Sequence, residues 1–438
     1  MIRVLQFGEG NFLRAFAEPY FQALNERALS GDLYKVTAVK PRPGRLPDAF
    51  AAQKNKYHVI LRGMENGKPV ERVKKIDVLD KVISLPEKSS EFYSLARDES
   101  LKIILSNTTE EGIRFCENDK FGDLSASTYP AKLTVFLYER YLAGLDGVYI
   151  MPLELIDDNA AALERCVEKY ILLWRLPEAF ARWNKKKNYY CETLVDRIVS
   201  GYPQAGERSR LQALTGGIDE LMCVGEPFGL WVVQNKGDLG KYLQEGKYDV
   251  RVVLTDDVDS YKKRKVRILN ALHTNFVGVG LLSGKRTVYE CMTDAGIEAF
   301  TAKMLREEIL PFLPSADARH YAEDVLERFR NPYLQHRLES IALNSFSKWR
   351  ARVLPTVRDY CARYEEPPEC LTFGFACLIY LSRRGRLPGT EPMEKPLRAW
   401  MEDESFWGEN LLHFTGFYER TKEQVARLEQ EEYETSDR

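Results

Sequence analysis

The sequence predicts an α/β fold in two parts, a parallel-sheet domain followed by a mostly α-helical C-terminal domain. Three features of its 438 residues carry that expectation. Short apolar or β-branched runs alternate with amphipathic segments through the first half. The alternation ends near residue 250, and the remaining pattern is almost wholly helical. A glycine turn joins the first apolar run to the first amphipathic segment. Strand, helix, strand alternation implies parallel pairing with both sheet faces covered.

Strands are expected at IRVLQF (2–7), KVTAV (35–39), KIILS (102–106) and VYIMPL (148–153), with helical patterns opening at Phe12 and Ala131. VRVVL (250–254) is the last expected strand. TDDVDSYKKRKVRILN then opens a long helix, with Thr255 or Asp256 as its N-cap. The domains expected from this pattern are 1–255 and 256–438, in keeping with a chain too long for one typical core.

Composition narrows the function. Lysine and arginine total 63 against 65 acidic residues, so no global charge draws the chain to nucleic acid or an anionic membrane. An anionic ligand must be held by local groups. Eight cysteines stand singly, without CxxC pairs or zinc spacing, which points to a reduced, cytoplasmic protein with no structural metal. The opening MIRVLQFGEGNF lacks the pattern of a signal peptide. The longest apolar stretch, Cys370 to Leu381, falls short of the ~18 residues a membrane span needs and reads as a buried helix.

Strand IRVLQF runs straight into GEGNFLRAF. In dinucleotide-binding folds such a turn brings backbone N–H groups and a helix N-terminus to a pyrophosphate. Gly8 and Gly10 match the first two glycines of GxGxxG, Leu13 takes the third place, and Asn11 and Phe12 open the helix. A tight strand-to-helix turn would read the same way. Its position after the first strand favours a Rossmann-type domain. The second strand ends in Lys40 and Arg42 where an acid would meet the ribose 2′-hydroxyl. A basic pair there fits NADP(H), and equally fits solvated loop charges.

Other strand ends carry polar clusters at the edge where open sheets bind ligands. Asn107, Thr108 and Thr109 follow KIILS and are cofactor candidates, while Glu154 and Asn159 follow VYIMPL. Asp196 and Arg197 lie in CETLVDRIVSG amid apolar residues, as an internal ion pair or, with Glu154, as substrate ligands.

RKVRILNALH breaks an apolar helical run with Lys265, Asn270 and His273. At ~100° per residue these sit at roughly 0°, 140° and 80°, within one hemisphere. Leu269, Leu272 and Phe276 fall near the lysine, and an amine among apolar neighbours loses its charge more readily than one in water.

Taken together, FGEGNFLRAF, SNTTEEGI, YPAKLT, PLELIDDN, TLVDRIV, EPFGLWVV, KVRILNALH and RNPYLQHRLESIALNSFSKWRARVLP resemble the mannitol dehydrogenase family of polyol-specific long-chain dehydrogenases. The resemblance implies a catalytic Lys265 as general acid/base, Asn270 and His273 on the reacting oxygen, NAD(H) as cofactor, no metal, and an active site in the cleft between the domains. Asn344 and Lys348, in IALNSFSKW, stand at i and i+4 on one expected helix face and are the candidates for gripping the sugar acid. That segment is similar to the branch acting on sugar acids, and Ser340 stands where mannitol-type members carry an arginine. The expected reaction interconverts a keto-uronate and a sugar acid. Reduction of fructuronate, or oxidation of a hexitol or its phosphate, is the alternative reaction, and a non-catalytic dinucleotide sensor the alternative class. Arg350 and Arg352 carry no assigned role and read equally well as surface charges. The oligomeric state has no signal in the sequence.

Overall fold

A computed structural model describes residues 1–27, 31–109 and 111–436, with side chains up to Glu431. The chain forms two compact units, Met1–Arg62 with Val70–Tyr261, and Gly63–Pro69 with Lys262–Arg438.

The first unit is organised by six parallel strands: β1 (Ile2–Phe7), β2 (Tyr34–Lys40), β3 (Leu79–Ser84), β4 (Leu101–Ser106), β5 (Tyr149–Pro152) and β6 (Tyr189–Tyr190). Their order is 3-2-1-4-5-6, and every neighbouring pair is parallel. This is the doubly wound Rossmann order, which reverses direction between β1 and β4. The apolar runs follow from burial on both faces. Val4 and Ile103 belong to one core with Phe16, Tyr20 and Trp231, whereas Leu5, Phe7 and Ile104 belong to another with Leu133 and Phe136. Alternate residues of one strand thus feed opposite layers. Helix α1 (Asn11–Arg27) supplies the first layer and α2 (Tyr129–Leu142) the second. Thr128 caps α2 and Pro130 sits in its first turn, where a missing N–H costs nothing.

Two mixed four-stranded sheets accompany this one. Their hairpin Tyr57–Glu65 and Lys68–Ile76 was absent from the expected strands, although its turn is Asn66-Gly67 with φ of 52° and 72°. That pair is a strong two-residue hairpin signal.

Helix α3 (Val258–Lys265) begins in the first unit and passes, in the second, through a π-helical turn, Val266–Asn270, into α4 (Ala271–Leu282). Asp257, and not Thr255 or Asp256, caps α3 by accepting from the Ser260 N–H at 3.0 Å. The units divide between Tyr261 and Lys262, a few residues beyond the expected boundary. Then come α5 (Ala316–Phe329), α6 (Leu338–Ala342), α7 (Ser345–Arg352), α8 (Glu369–Arg383) and α9 (Phe417–Ser436). The apolar stretch from Cys370 lies in α8, and no described helix is long and apolar enough to cross a membrane.

A buried amide ties α4 to α7 and α8. Asn275 Nδ2 donates to the Cys370 carbonyl at 3.0 Å, and Asn275 Oδ1 accepts from Trp349 Nε1 at 3.1 Å. Gly374 makes the approach possible, because a Cβ there would lie 2.3 Å from Asn275 Nδ2. Trp349 stacks on Phe375 at 4.1 Å. α7 is thereby fixed beside the α4 turn that carries His273.

Candidate functional site

Each unit gathers one set of the expected site residues. In the first, Gly8 follows β1 with φ +125°, a conformation open to glycine, and its N–H bonds the Val39 carbonyl at 2.8 Å. Gly10 is different, since among the described residues a Cβ there would meet no atom within 4 Å beyond its chain neighbours. Protein packing does not require that glycine, whereas close approach of a ligand backbone would. Arg14, which sequence reasoning missed, is buried and holds the turn. Its Nε donates to the Glu9 carbonyl at 3.1 Å, its Nη2 to Asn11 Oδ1 at 2.8 Å, and its Nη1 to the Leu221 carbonyl. The side chain of Asn11 is therefore scaffold, leaving its backbone to a ligand. Phe12 stacks on Phe16 at 4.9 Å.

Across the reversal point, Asn107 Nδ2 donates to the Leu153 carbonyl at 3.0 Å. Thr108 donates to Glu154 Oε1 from its N–H at 2.9 Å and from its hydroxyl at 2.8 Å, and Ser106 donates to Oε2 at 3.0 Å. Burial pushes the Glu154 carboxyl above the usual range, and the Thr108 and Ser106 hydrogen bonds oppose that shift. Glu154 thus organises the loop of Thr108 and the exposed Thr109. Asn159 is likewise internal, donating to the Pro152 and Glu154 carbonyls at 3.0 and 3.1 Å.

Lys40 Nζ donates to the Arg42 and Pro43 carbonyls at 2.8 and 3.4 Å. A second amine, the buried Lys132 of YPAKLT, donates to the Pro41 carbonyl. Burial pushes Lys132 down to about 8.

Arg197 takes the internal place that the sequence offered as one reading, with a different acid as its partner. Its side chain is fully buried, and its guanidinium donates to the Ala15, Pro227, Phe228 and Asp249 carbonyls and to Asp249 Oδ2. Those bonds engage all the donors an arginine has. The Ala15 acceptor exists because Pro19, four residues on in α1, has no N–H to give it. Arg197 pairs with Asp249, not Asp196, and has nothing left for a substrate. Asp196 is buried at the end of its strand, Thr193–Asp196.

In the second unit the π turn changes the geometry expected for RKVRILNALH. An i→i+5 turn holds more residues than an α-helical one, so Lys265 and Asn270, five apart, come nearer to one face than in a regular α-helix. His273 follows three residues later in regular helix. The spread that a regular α-helix would give these three residues is thereby narrowed. Lys265 and Asn270 are half-buried and His273 is buried.

His273 is surrounded by cations. Arg352 Nη1 lies 3.5 Å from His273 Nε2 and donates to Thr274 Oγ1 at 3.1 Å. Burial first, then His336, Arg352, Lys348 and Arg328, hold His273 well below its ordinary value, so it is neutral near pH 7. An arginine can only donate, so Nε2 is the acceptor in that contact, and Nδ1 is buried without a hydrogen-bond partner among the described residues. The His336 ring lies 5.7 Å away. Lys348 Nζ donates to the Ile341 carbonyl at 3.1 Å. Asn344 precedes α7 in the left-handed conformation, φ 56°, with its side chain exposed, so it does not share a helical face with Lys348 as expected. Arg350 turns away to the Phe406 carbonyl and ring. Arg352 is the residue the sequence left without a role, and its only signal was a spacing of four from Lys348. Among the described residues no group of three or more His, Cys, Asp or Glu could hold a metal.

The comparisons agree along the whole chain. Residues 2–244 match the mannitol dehydrogenase Rossmann domain and residues 257–413 the mannitol dehydrogenase C-terminal domain. The chain is 39% identical over 419 residues to an altronate oxidoreductase of Yersinia enterocolitica, covering 94% of this chain and 86% of the relative. It is 40% identical over 440 residues to one of Shigella flexneri, covering 98% and 89%. Its fold is similar to D-sorbitol dehydrogenase in substrate-free form (TM-score 0.78, 22% identity, 98% and 93% covered). It is also similar to Pseudomonas fluorescens mannitol 2-dehydrogenase in a ternary complex with NAD and D-mannitol (0.68, 20%, 98% and 92%).

Proposed function

The chain belongs to the mannitol dehydrogenase family, and from that premise we propose that it is an NAD(H)-dependent oxidoreductase interconverting D-tagaturonate and D-altronate. Near-full-length similarity to altronate oxidoreductases carries this reading.

The first unit fits the cofactor: Gly8 makes the turn, Gly10 leaves the backbone approachable, and both lie beside the reversal point of the sheet. Gly8, Gly10, Asn11, Phe12, Asn107, Thr108 and Thr109 would hold it. Bound NAD(H) supplies or accepts the hydride. When a ketone carbon gains hydride, negative charge develops on its oxygen, which needs hydrogen-bond donors and then a proton. Lys265 Nζ gives that proton and recovers it in the reverse direction, while Asn270 and His273 hold the oxygen. His273 is too hard to charge to serve as the proton store.

NAD(H) is favoured over NADP(H) because Lys40 is committed to two carbonyls of its own turn. It contributes shape to that turn more than charge for a 2′-phosphate.

Steady-state assays with D-tagaturonate, D-fructuronate and neutral ketohexoses, each with NADH and NADPH, test the proposal. D-Tagaturonate is expected to give the highest kcat/KM, and NADH to bind at least ~10-fold tighter than NADPH, about 1.4 kcal/mol. A neutral ketohexose as the best substrate, or tighter NADPH binding, would overturn the corresponding part.

A further inference from the structure

We infer that Arg352 reads the charge of the substrate: together with Lys348 it takes the carboxylate of the sugar acid, an inference that rests on the reaction proposed above. The two cations lie one helical turn apart on α7. One edge of the guanidinium is pinned, with Nη1 held by Thr274 Oγ1 and His273 Nε2. The opposite edge, Nε and Nη2, makes no hydrogen bond to the described residues. Those atoms present two parallel N–H groups, the fork that matches a carboxylate in a bidentate pair.

Charge balance points the same way. Neither Lys348 nor Arg352 has a carboxylate partner among the described residues. Burial pushes Lys348 down, Arg352 pushes it further, and burial lowers Arg352 itself. His336 is lowered by burial, then by Arg328 and Lys348. Like charges a turn apart repel, and a partly dry cluster of this kind is stabilised by an anion that arrives with the ligand. Arg352 supplies direction through its fixed fork, and Lys348 supplies a point charge beside it. Ser340, exposed, adds no charge of its own.

Kinetics of Arg352→Met and Arg352→Lys with D-tagaturonate test the assignment, with NADH affinity and melting temperature as folding controls. Arg352→Met is expected to raise KM by roughly 10- to 100-fold, the worth of a charge-assisted pair, with kcat within a few-fold of wild type. Arg352→Lys, which keeps the charge and loses the fork, is expected to fall between them. If the methionine variant does not fold, a raised KM with retained kcat in the lysine variant carries the test alone. An unchanged KM with a fallen kcat would overturn the inference and leave Arg352 acting only through His273. Should the wild-type protein turn over no uronate, the reaction proposed above falls by itself. Calorimetric binding of D-gluconate then decides Arg352: weaker binding by Arg352→Met supports the assignment, and equal binding overturns it.

Discussion

Lys265→Met is expected to lower turnover of D-tagaturonate by roughly 10²- to 10⁴-fold, the usual worth of a general acid/base, with NADH affinity nearly unchanged. The groups proposed to hold the dinucleotide all belong to the first unit, and Lys265 lies in the second. Methionine keeps the length and apolar stem of the side chain, so the π turn retains its packing. Stopped-flow reduction and fluorescence titration of NADH separate the two effects. A loss of NADH affinity equal to the loss of turnover would mean that Lys265 acts in binding and not in proton transfer.

Arg197→Met is expected to act on stability instead. The substitution removes five hydrogen bonds and leaves the Ala15, Pro227, Phe228 and Asp249 carbonyls without that donor. Breaking a buried charged pair costs roughly 3–5 kcal/mol, which lowers Tm by roughly 6–20 °C. Lys74, 3.6 Å from Asp249, keeps that carboxylate from standing alone and places the loss towards the lower end. Calorimetry on the variant, with KM measured well below its Tm, checks both sides. A normal Tm with a raised KM would return Arg197 to the substrate site.

The contrast between these residues shows how far the sequence could be read. Four of the six strands of the parallel sheet were legible because strands buried on both faces are written as continuous apolar runs, as in IRVLQF and KIILS, whereas Leu79–Ser84 and the two-residue Tyr189–Tyr190 were not expected. The Asn66-Gly67 hairpin was equally legible and was passed over, since its strands are short of apolar residues: Lys68–Ile76 reads KPVERVKKI. The partners of Arg197 were not legible because one acceptor depends on Pro19 freeing a carbonyl 182 positions away in the chain, a long-range effect with no local signature. The trio in RKVRILNALH was found from its residue types, but its geometry was wrong, because 100° per residue presumes an α-helix throughout. A spacing of five, one more than an α-helical turn, was the hint of the π turn. Arg352 was given no role because a cation in the last turn of a helix is ordinarily a solvated partner of the helix dipole, and only the position of α4 beside α7 shows otherwise.

The central claim, that the proton store is Lys265 and not the neutral His273, is tested most directly by the pH dependence of D-altronate oxidation in three proteins: wild type, Lys265→Met and His273→Ala. In the wild type the rate is expected to rise as one group loses its proton. That limb should disappear in Lys265→Met and persist, at lower turnover, in His273→Ala, because burial and neighbouring cations already keep His273 without charge. A limb that survives in Lys265→Met and vanishes in His273→Ala would contradict the assignment and move the acid/base role to the histidine.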